Sequence, residues 1–217
     1  RLLEKIAAIR AKTVVGLIMA GGQGRRLGHR DKAWLMADGQ PFIEHALHAM
    51  QCNTRQIIIS ANRHHWHLRR YSQPVIHDIQ YPSQGPLSAI FNGFESMRRW
   101  YPHSEWLLTL PVDALRPPAN FGQKLRHPAQ NRLCRVLRSR QGECPLIALL
   151  HTSLQPQLAD YLNTGRRSFS GWLKTLEQSN YAAHQPVYVN YNSHPDVCCS
   201  VNTPNELRRA RLRVETV

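Results

Sequence analysis

The sequence contains few acidic residues. Its 217 residues include 14 Asp and Glu against 28 Lys and Arg, which gives a formal net charge of +14. This excess of positive charge suggests a polyanionic partner, but it does not distinguish a nucleic acid from an anionic membrane or a small phosphorylated substrate. The scarcity of carboxylates is more informative, because a divalent-cation site must take its oxygen ligands from those few side chains.

Cysteines and long hydrophobic runs are also scarce. The five cysteines include no Cys-x-x-Cys motif, and an odd number with one adjacent pair, Cys198 and Cys199, does not suggest a disulfide framework. The longest strongly apolar stretch, residues 14–20, is much shorter than the roughly 20 residues of a membrane span. Residues 1–12 lack the apolar region of a signal peptide. We therefore expect a soluble, cytoplasmic protein with no membrane partner.

Short apolar runs alternate with helical patterns along the chain. The run at 14–19 precedes a pair of glycines and is typical of a strand buried on both faces of a parallel sheet. Apolar residues then recur with helical spacing in 41–50 and in 87–97. This alternation predicts an α/β fold with a mostly parallel central sheet. Further strands are predicted at 56–59, 74–76, 106–110, 133–137 and 186–189.

The chain shows no repeat, low-complexity block or linker that would divide it. We therefore predict a helical N-terminal extension over residues 1–12 and one domain over residues 13–217. Near the C-terminus, Thr203, Pro204 and Glu206 have the spacing of a capping box with proline at the first helical position. This pattern predicts the start of the last helix.

A glycine-rich segment follows the first predicted strand. Four of the residues 21–28 are glycine, which lets backbone amides approach an anion, and Arg25, Arg26 and Lys32 add positive charge. This composition is typical of a phosphate-binding loop. A dinucleotide fingerprint would need glycine in place of Leu27, and the Gly-Lys-Ser/Thr of a P-loop is absent. The alternative is a tight turn with solvated basic side chains.

Polar side chains follow three of the predicted strands. These are Asn62, Asp78 and Asp113. Ligands of open α/β sheets bind outside the carboxyl ends of the strands, so these side chains could meet the glycine-rich segment. A metal-bound triphosphate needs this combination, because the cation requires oxygen ligands while basic residues neutralise the remaining phosphate charge. The alternative for each Asp is a role in a turn or a helix cap.

The motifs together extend from residue 18 to residue 207. Residues 18–32 are similar to the signature Leu-x-Ala-Gly-Gly-x-x-x-Arg-Met-Gly-x-x-Asp-Lys, and further similarities lie at 60–64, 85–88, 111–113, 145–149 and 201–207. In this order they resemble the MobA-like molybdenum cofactor guanylyltransferases. The first signature is shared with many sugar-phosphate nucleotidyltransferases. The Gly-Pro-Leu and Asn-Thr-Pro segments point more specifically to the MobA-like family.

The resemblance implies a three-layer, Rossmann-like nucleotidyltransferase fold. It also implies transfer of GMP from GTP to the phosphate of Mo-molybdopterin, with Mg2+ as cofactor and release of pyrophosphate. Other molybdenum cofactor biosynthesis proteins and apo-molybdoenzymes are candidate partners. We expect no nucleic-acid partner and a monomer rather than a stable oligomer.

The resemblance also assigns site residues by position. Arg26, Lys32 and Asp113 would be catalytic. Asp113 would bind Mg2+, and the side chains of Arg26 and Lys32 would bind the triphosphate. The reaction requires no protein nucleophile. Ser60 and Ser200 stand where the family usually has Asn, so contacts with guanine or pterin would differ there. The nucleotide would contact Lys32, Asp113, Met19, Ala20, Gly21, Gly22, Ser60, Asn62, Asp78, Gly85, Pro86 and Leu87. The pterin side would contain Pro145, Ser200 and Asn202.

Other functions remain open from the sequence. A molybdopterin cytidylyltransferase or a sugar-phosphate nucleotidyltransferase would share most of these motifs. A non-catalytic basic module that binds nucleic acid would explain the net charge, but it leaves the glycine-rich segment, Asp78 and Asp113 without a role. The segment His64-His65-Trp66-His67 lacks the spacing of zinc ligands, and we interpret it as a polar loop after the second strand.

Overall fold

The computed structural model describes most of the chain. The described residues are 13–21, 31–82, 84–126, 131–139, 146–191, 199–201 and 205. The N-terminal extension predicted for residues 1–12 lies outside them, as do Thr203, Pro204 and Glu206 of the predicted capping box, although Asn205 is helical. Among the described residues, no helix is long and apolar enough to cross a membrane.

Strands and helices alternate along the described chain. The strands are β1 Val14–Met19, β2 Met36–Ala37, β3 Gln40–Pro41, β4 Gln56–Ser60, β5 Val75–Ile76, β6 Trp106–Pro111, β7 Ala114–Leu115, β8 Cys134–Ser139, β9 Ala148–His151, β10 Val187–Tyr191 and β11 Cys199–Ser200. The α-helices are α1 Phe42–Gln51, α2 His65–Leu68, α3 Pro86–Trp100, α4 Phe121–Arg126, α5 Gln155–Asn163 and α6 Phe169–Glu177. Short 3-10 turns occupy Lys32–Trp34, Thr152–Leu154 and Ala182–His184.

A seven-stranded sheet forms the centre of the structure, with strand order β10-β8-β9-β6-β1-β4-β5. Strand β1 lies between β4 and β6 and pairs in parallel with both, so Leu17 is opposite Ile58 on one side and Thr109 on the other. Strand β9 alone runs antiparallel, between β6 and β8. The prediction of a mostly parallel sheet is therefore confirmed.

Helices cover both faces of this sheet. Val14 and Ile18 of β1 face a core that includes α1 and α4, whereas Val15 and Leu17 face a second core built with α3, α5 and α6. The close approach of α1 requires glycine at position 16, because a Cβ there would lie 2.6 Å from the Met50 side chain. The predicted three-layer arrangement is thus confirmed, and β1 contributes side chains to both cores.

Two short ribbons lie outside the central sheet, and the sequence patterns did not indicate either of them. Strands β2 and β3 form a hairpin, and β11 pairs antiparallel with β7, placing Ser200 opposite Ala114. Immediately before β7, Asp113 accepts a hydrogen bond at its backbone oxygen from the Val201 amide, with N···O 3.1 Å. The second ribbon therefore brings the C-terminal part of the chain to the end of β6.

Candidate functional site

The carboxyl ends of β1, β4 and β6 are joined by backbone hydrogen bonds. The Ala20 amide donates to the Ser60 oxygen over 2.8 Å, and the Val112 amide donates to the Met19 oxygen over 3.0 Å. Met19 and Ala20 are themselves buried at this edge. The residues two positions beyond β1, β4, β5 and β6 are Gly21, Asn62, Asp78 and Asp113, so all four reach the same edge of the sheet.

Lys32 and Asp113 form an ion pair across this edge. The Lys32 Nζ lies 2.5 Å from Asp113 Oδ2, and the two side chains are only 12% and 14% exposed. Lys32 begins a 3-10 turn that Asp31 caps, because Asp31 Oδ1 accepts a hydrogen bond from the Ala33 amide over 3.1 Å. Burial raises the pKa of Asp31, whereas this hydrogen bond and the nearby His64 lower it. The fold thus joins two predicted catalytic residues that are 81 positions apart.

The pair gives this edge a carboxylate suited to a cation. Among the described residues, no three His, Cys, Asp or Glu side chains cluster as metal ligands. Magnesium does not need such a cluster, because it usually binds one or two carboxylates together with substrate phosphates and water. Asp113 already binds the ammonium of Lys32, so its carboxylate is placed to accept a cation at the end of β6. The residues present therefore fit a magnesium ion that reaches the site with a phosphate substrate.

Asn62 and Asp78 form a second polar pair. Asn62 Nδ2 donates to Asp78 Oδ2 over 2.7 Å, and the Asp78 amide donates back to Asn62 Oδ1 over 2.9 Å. The Ser60 hydroxyl lies 3.5 Å from the other Asp78 oxygen, and a Cβ on Gly21 would lie 3.2 Å from Asn62 Nδ2. Burial raises the pKa of Asp78, although the hydrogen bonds from Asn62 and Ser60 lower it. Four predicted nucleotide-binding residues are therefore neighbours.

Gly85, Pro86 and Leu87 begin helix α3 beside this pair. Gly85 is the N-cap with φ +72°, a conformation that favours glycine, and Pro86 occupies the first turn. Leu87 is fully buried in the core, backbone included, and its predicted contact with a nucleotide stays a prediction.

Two buried polar residues that sequence reasoning missed hold the segment after Asp78. Asn92 donates to the Gln80 oxygen over 2.9 Å and accepts from the Gln80 amide over 3.2 Å. The Ser88 hydroxyl also donates to the Gln80 oxygen over 2.9 Å. Ser88 and Asn92 are four residues apart in a helix whose first two turns are buried, and that spacing is the signal that could have identified them.

Some predicted site residues cannot be placed. Arg26, Gly22, Pro145 and Asn202 lie outside the described residues. The backbone of Ser200 is in β11, opposite Ala114, next to the loop that carries Asp113. The roles assigned to these five residues, like those of the other site residues, remain predictions.

Comparisons with known proteins identify the family of the chain. The family model of the MobA-like NTP transferase domain matches residues 16–184. The molybdenum cofactor guanylyltransferase of Shewanella halifaxensis is 28% identical over 195 residues, covering 89% of this chain and 91% of that protein.

Solved structures share the fold. The molybdopterin-guanine dinucleotide biosynthesis protein A from Archaeoglobus fulgidus superposes with a TM-score of 0.69 at 19% identity, covering 94% of this chain and 100% of that one. A nucleotidyl transferase from Methanothermobacter thermautotroptrophicus gives a TM-score of 0.72 at 16% identity, covering 95% of this chain and 100% of that one. The chain therefore has an α/β Rossmann-like fold that is also found in nucleotidyltransferases.

Proposed function

The chain belongs to the MobA-like NTP transferase domain family, and we propose that it transfers GMP from GTP to the phosphate of Mo-molybdopterin, releasing pyrophosphate. The proposal rests on the Lys32–Asp113 pair, because nucleotidyl transfer needs a fixed cation and a carboxylate side by side at the phosphate site. The relative from Shewanella halifaxensis, named a molybdenum cofactor guanylyltransferase, supports the choice of substrates.

Lys32 would neutralise the charge that develops during the reaction. Its ammonium is held at the carboxyl edge of β1 by the capped turn, and it would move from Asp113 to an oxygen of the triphosphate when the nucleotide binds. There it would stabilise the pyrophosphate as this group leaves. When bound, Mg2+ would be held by Asp113 and would supply further neutralisation of the phosphate oxygens. The acceptor phosphate is itself the nucleophile, so the chain has mainly to align the reactants.

Asp78 would select guanine. Guanine presents two adjacent donors, N1–H and the N2 amino group, whereas cytosine, adenine and uracil do not place two donors side by side on that edge. A carboxylate accepts such a pair with its two oxygens, and Asp78 is held in place by hydrogen bonds from Asn62, Ser60 and Ser88. This arrangement favours guanylyl transfer over the cytidylyltransferase alternative.

We further propose that the protein acts in the cytoplasm as a monomer. Cys52 and Cys134 are free thiols, in agreement with a reducing compartment. The pterin substrate would contact Pro145, Ser200 and Asn202, of which the backbone of Ser200 pairs with Ala114 in the β7–β11 ribbon. Size-exclusion chromatography of the protein tests the oligomeric state.

A product assay tests the proposed function. Purified protein is incubated with Mg2+, Mo-molybdopterin and GTP labelled at the α-phosphate, and the pterin product is separated by chromatography. We expect label to enter a pterin dinucleotide with one pyrophosphate released for each transfer. The matched reaction with α-labelled CTP should give little product. Equal transfer from CTP, or no transfer from GTP by protein that binds it, would contradict the proposal.

A further inference from the structure

The histidine-rich segment between β4 and β5 is not the polar loop that the sequence predicts. His65–Leu68 form the single turn α2, and only Leu68 of this turn is buried in the core. The other side chains of the segment remain partly or fully exposed, including Arg70. Packing in the core therefore does not explain the aromatic and basic residues of this segment.

Three side chains of this segment surround Trp34. The Tyr71 ring is stacked on the indole with centroids 6.5 Å apart and planes inclined by 22°. The His67 ring meets the indole edge-on at 5.7 Å, and the Arg70 guanidinium carbon lies 5.7 Å from its centroid. Aromatic and cation–π contacts of this kind are attractive, so the segment holds the indole from several sides.

Tyr71 is itself fixed at its other end. Its hydroxyl donates to Glu44 Oε1 of α1 over 2.8 Å. Burial, followed by the contacts with Glu44, raises the pKa of Tyr71 to about 12, so the hydroxyl keeps its proton at neutral pH. The indole Nε1 of Trp34 is buried and makes no hydrogen bond among the described residues. Ring contacts therefore hold Trp34 against a tyrosine that is anchored to α1.

Trp34 closes the turn that carries Lys32. The backbone of this turn is held by the bond from the Trp34 amide to the Asp31 oxygen, 3.2 Å, and by that from the Leu35 amide to the Lys32 oxygen, 3.2 Å. We propose that Trp34 is a positioning residue, and that its stack with His67, Arg70 and Tyr71 holds the Lys32 ammonium where it can meet phosphate. The proposal rests on the nucleotidyl-transfer role of Lys32 and not on the identity of the base or the acceptor.

Replacement of two tryptophans in parallel tests the proposal. Trp34→Ala removes the stack, whereas Trp66→Ala removes a tryptophan that is 57% exposed and whose ring contacts, among the described residues, are with His64, His65 and His67. The readouts are the Kd of Mg2+-pyrophosphate by calorimetry and the kcat and KM of GMP transfer. We expect Trp34→Ala to weaken pyrophosphate binding and lower kcat about tenfold each, with an unchanged KM for Mo-molybdopterin. Trp66→Ala should stay within about twofold of the wild type, and Trp34→Phe, which keeps a ring, should recover most of the loss.

A second pair covers the case in which Trp34→Ala does not fold. Arg70→Met removes the cation over the indole, and Arg69→Met removes an equally exposed arginine without that contact. Arg70→Met should weaken pyrophosphate binding about two- to threefold, and Arg69→Met should not. Wild-type affinity in folded Trp34→Ala or in Arg70→Met would overturn the positioning role, as would equal losses in both members of a pair. Wild-type protein that binds pyrophosphate through Lys32 but transfers no GMP would instead count against the proposed function alone.

Discussion

Two carboxylates at the same edge of the sheet are held in opposite ways. Asp113 is paired with a full positive charge from Lys32 at 2.5 Å, and both side chains are nearly buried. Asp78 is held mainly by neutral donors, the amide of Asn62 and the hydroxyls of Ser60 and Ser88, with a weaker attraction from His77. An ion-paired carboxylate can exchange one cation for another, whereas a carboxylate held by neutral donors still attracts the N–H groups of a base. On the proposed function, the phosphates would bind at the Lys32–Asp113 pair and guanine would bind at Asp78.

The largest expected effect comes from breaking the ion pair. Lys32→Met and Asp113→Asn should each lower kcat of GMP transfer on the order of 10²- to 10³-fold, because each removes a charge that acts on the phosphates in the transition state. The double variant should lose far less than the product of the two losses, because the residues act as a unit. Single-turnover rates at saturating GTP measure this. Near wild-type activity in either single variant would remove that residue from the site.

Breaking the other pair should change base selectivity rather than the rate for every nucleotide. Asp78→Asn replaces one acceptor oxygen with an NH2 group, which opposes the donors of guanine, so kcat/KM for GTP should fall about 10- to 100-fold. The much lower kcat/KM for CTP should change by less than about threefold. Parallel assays of both nucleotides provide the measurement. A uniform loss for GTP and CTP would place Asp78 outside the base pocket.

The two pairs should also affect stability with opposite signs. Lys32→Met leaves Asp113 nearly buried without its cation and should lower the free energy of unfolding by about 2 kcal/mol, between the values for surface and buried pairs. Asp78→Asn should instead stabilise the protein at pH 7. Burial raises the pKa of Asp78 above its ordinary value of 3.8, so the folded state binds a proton more readily than the unfolded state. Ionised Asp78 therefore opposes folding.

The pH dependence provides the control for this comparison. The destabilisation caused by ionised Asp78 is fully present above its folded-state pKa and disappears as the pH falls toward 3.8. The stability gain of Asp78→Asn over the wild type should therefore shrink in the same direction. Urea unfolding of Asp78→Asn, Lys32→Met and the wild type at several pH values measures both effects. Destabilisation by Asp78→Asn at pH 7 would contradict the assigned electrostatics.

The smallest expected effect concerns Gly21. A Cβ there would lie 3.2 Å from Asn62 Nδ2, so Gly21→Ala should displace this amide by a few tenths of an ångström. We expect the KM for GTP to rise about two- to fivefold with little change in kcat, because Asn62 orients the base-side carboxylate. Steady-state kinetics at saturating acceptor provide the measurement. A fall in kcat with an unchanged KM would link Gly21 to the phosphates instead.

The sequence patterns predict the central sheet better than its details. The apolar runs that precede Asn62, Asp78 and Asp113 are strands, so these residues lie at one edge of the sheet, whereas most of the glycine-rich segment that they were expected to meet lies outside the described residues. Strand β9 was not among the predicted strands, and its antiparallel direction was not predictable either, since an apolar run has no polarity along the chain. The two-residue strands β7 and β11 are too short to show a period of two.

The predictions for side chains were limited by long-range packing. The histidine-rich segment looked like a loop because its contacts are with Trp34, about thirty positions earlier, and no local pattern shows them. Asn92 was overlooked because helical periodicity marks the apolar face but does not identify the polar residue that binds Gln80. In both cases the partner is distant in the sequence, and only the fold brings it near.

Calorimetric titration of four nucleotides tests the division between the two carboxylates most directly. GTP, CTP, ATP and UTP are titrated with Mg2+ into the wild type, Asp78→Asn and Asp113→Asn. The wild type should bind GTP about tenfold or more tightly than the other three, and Asp78→Asn should remove that preference. Asp113→Asn should weaken all four by a similar factor, because all carry the same triphosphate. Equal wild-type affinity for the four nucleotides, or a GTP preference that survives in Asp78→Asn, would contradict the assignment.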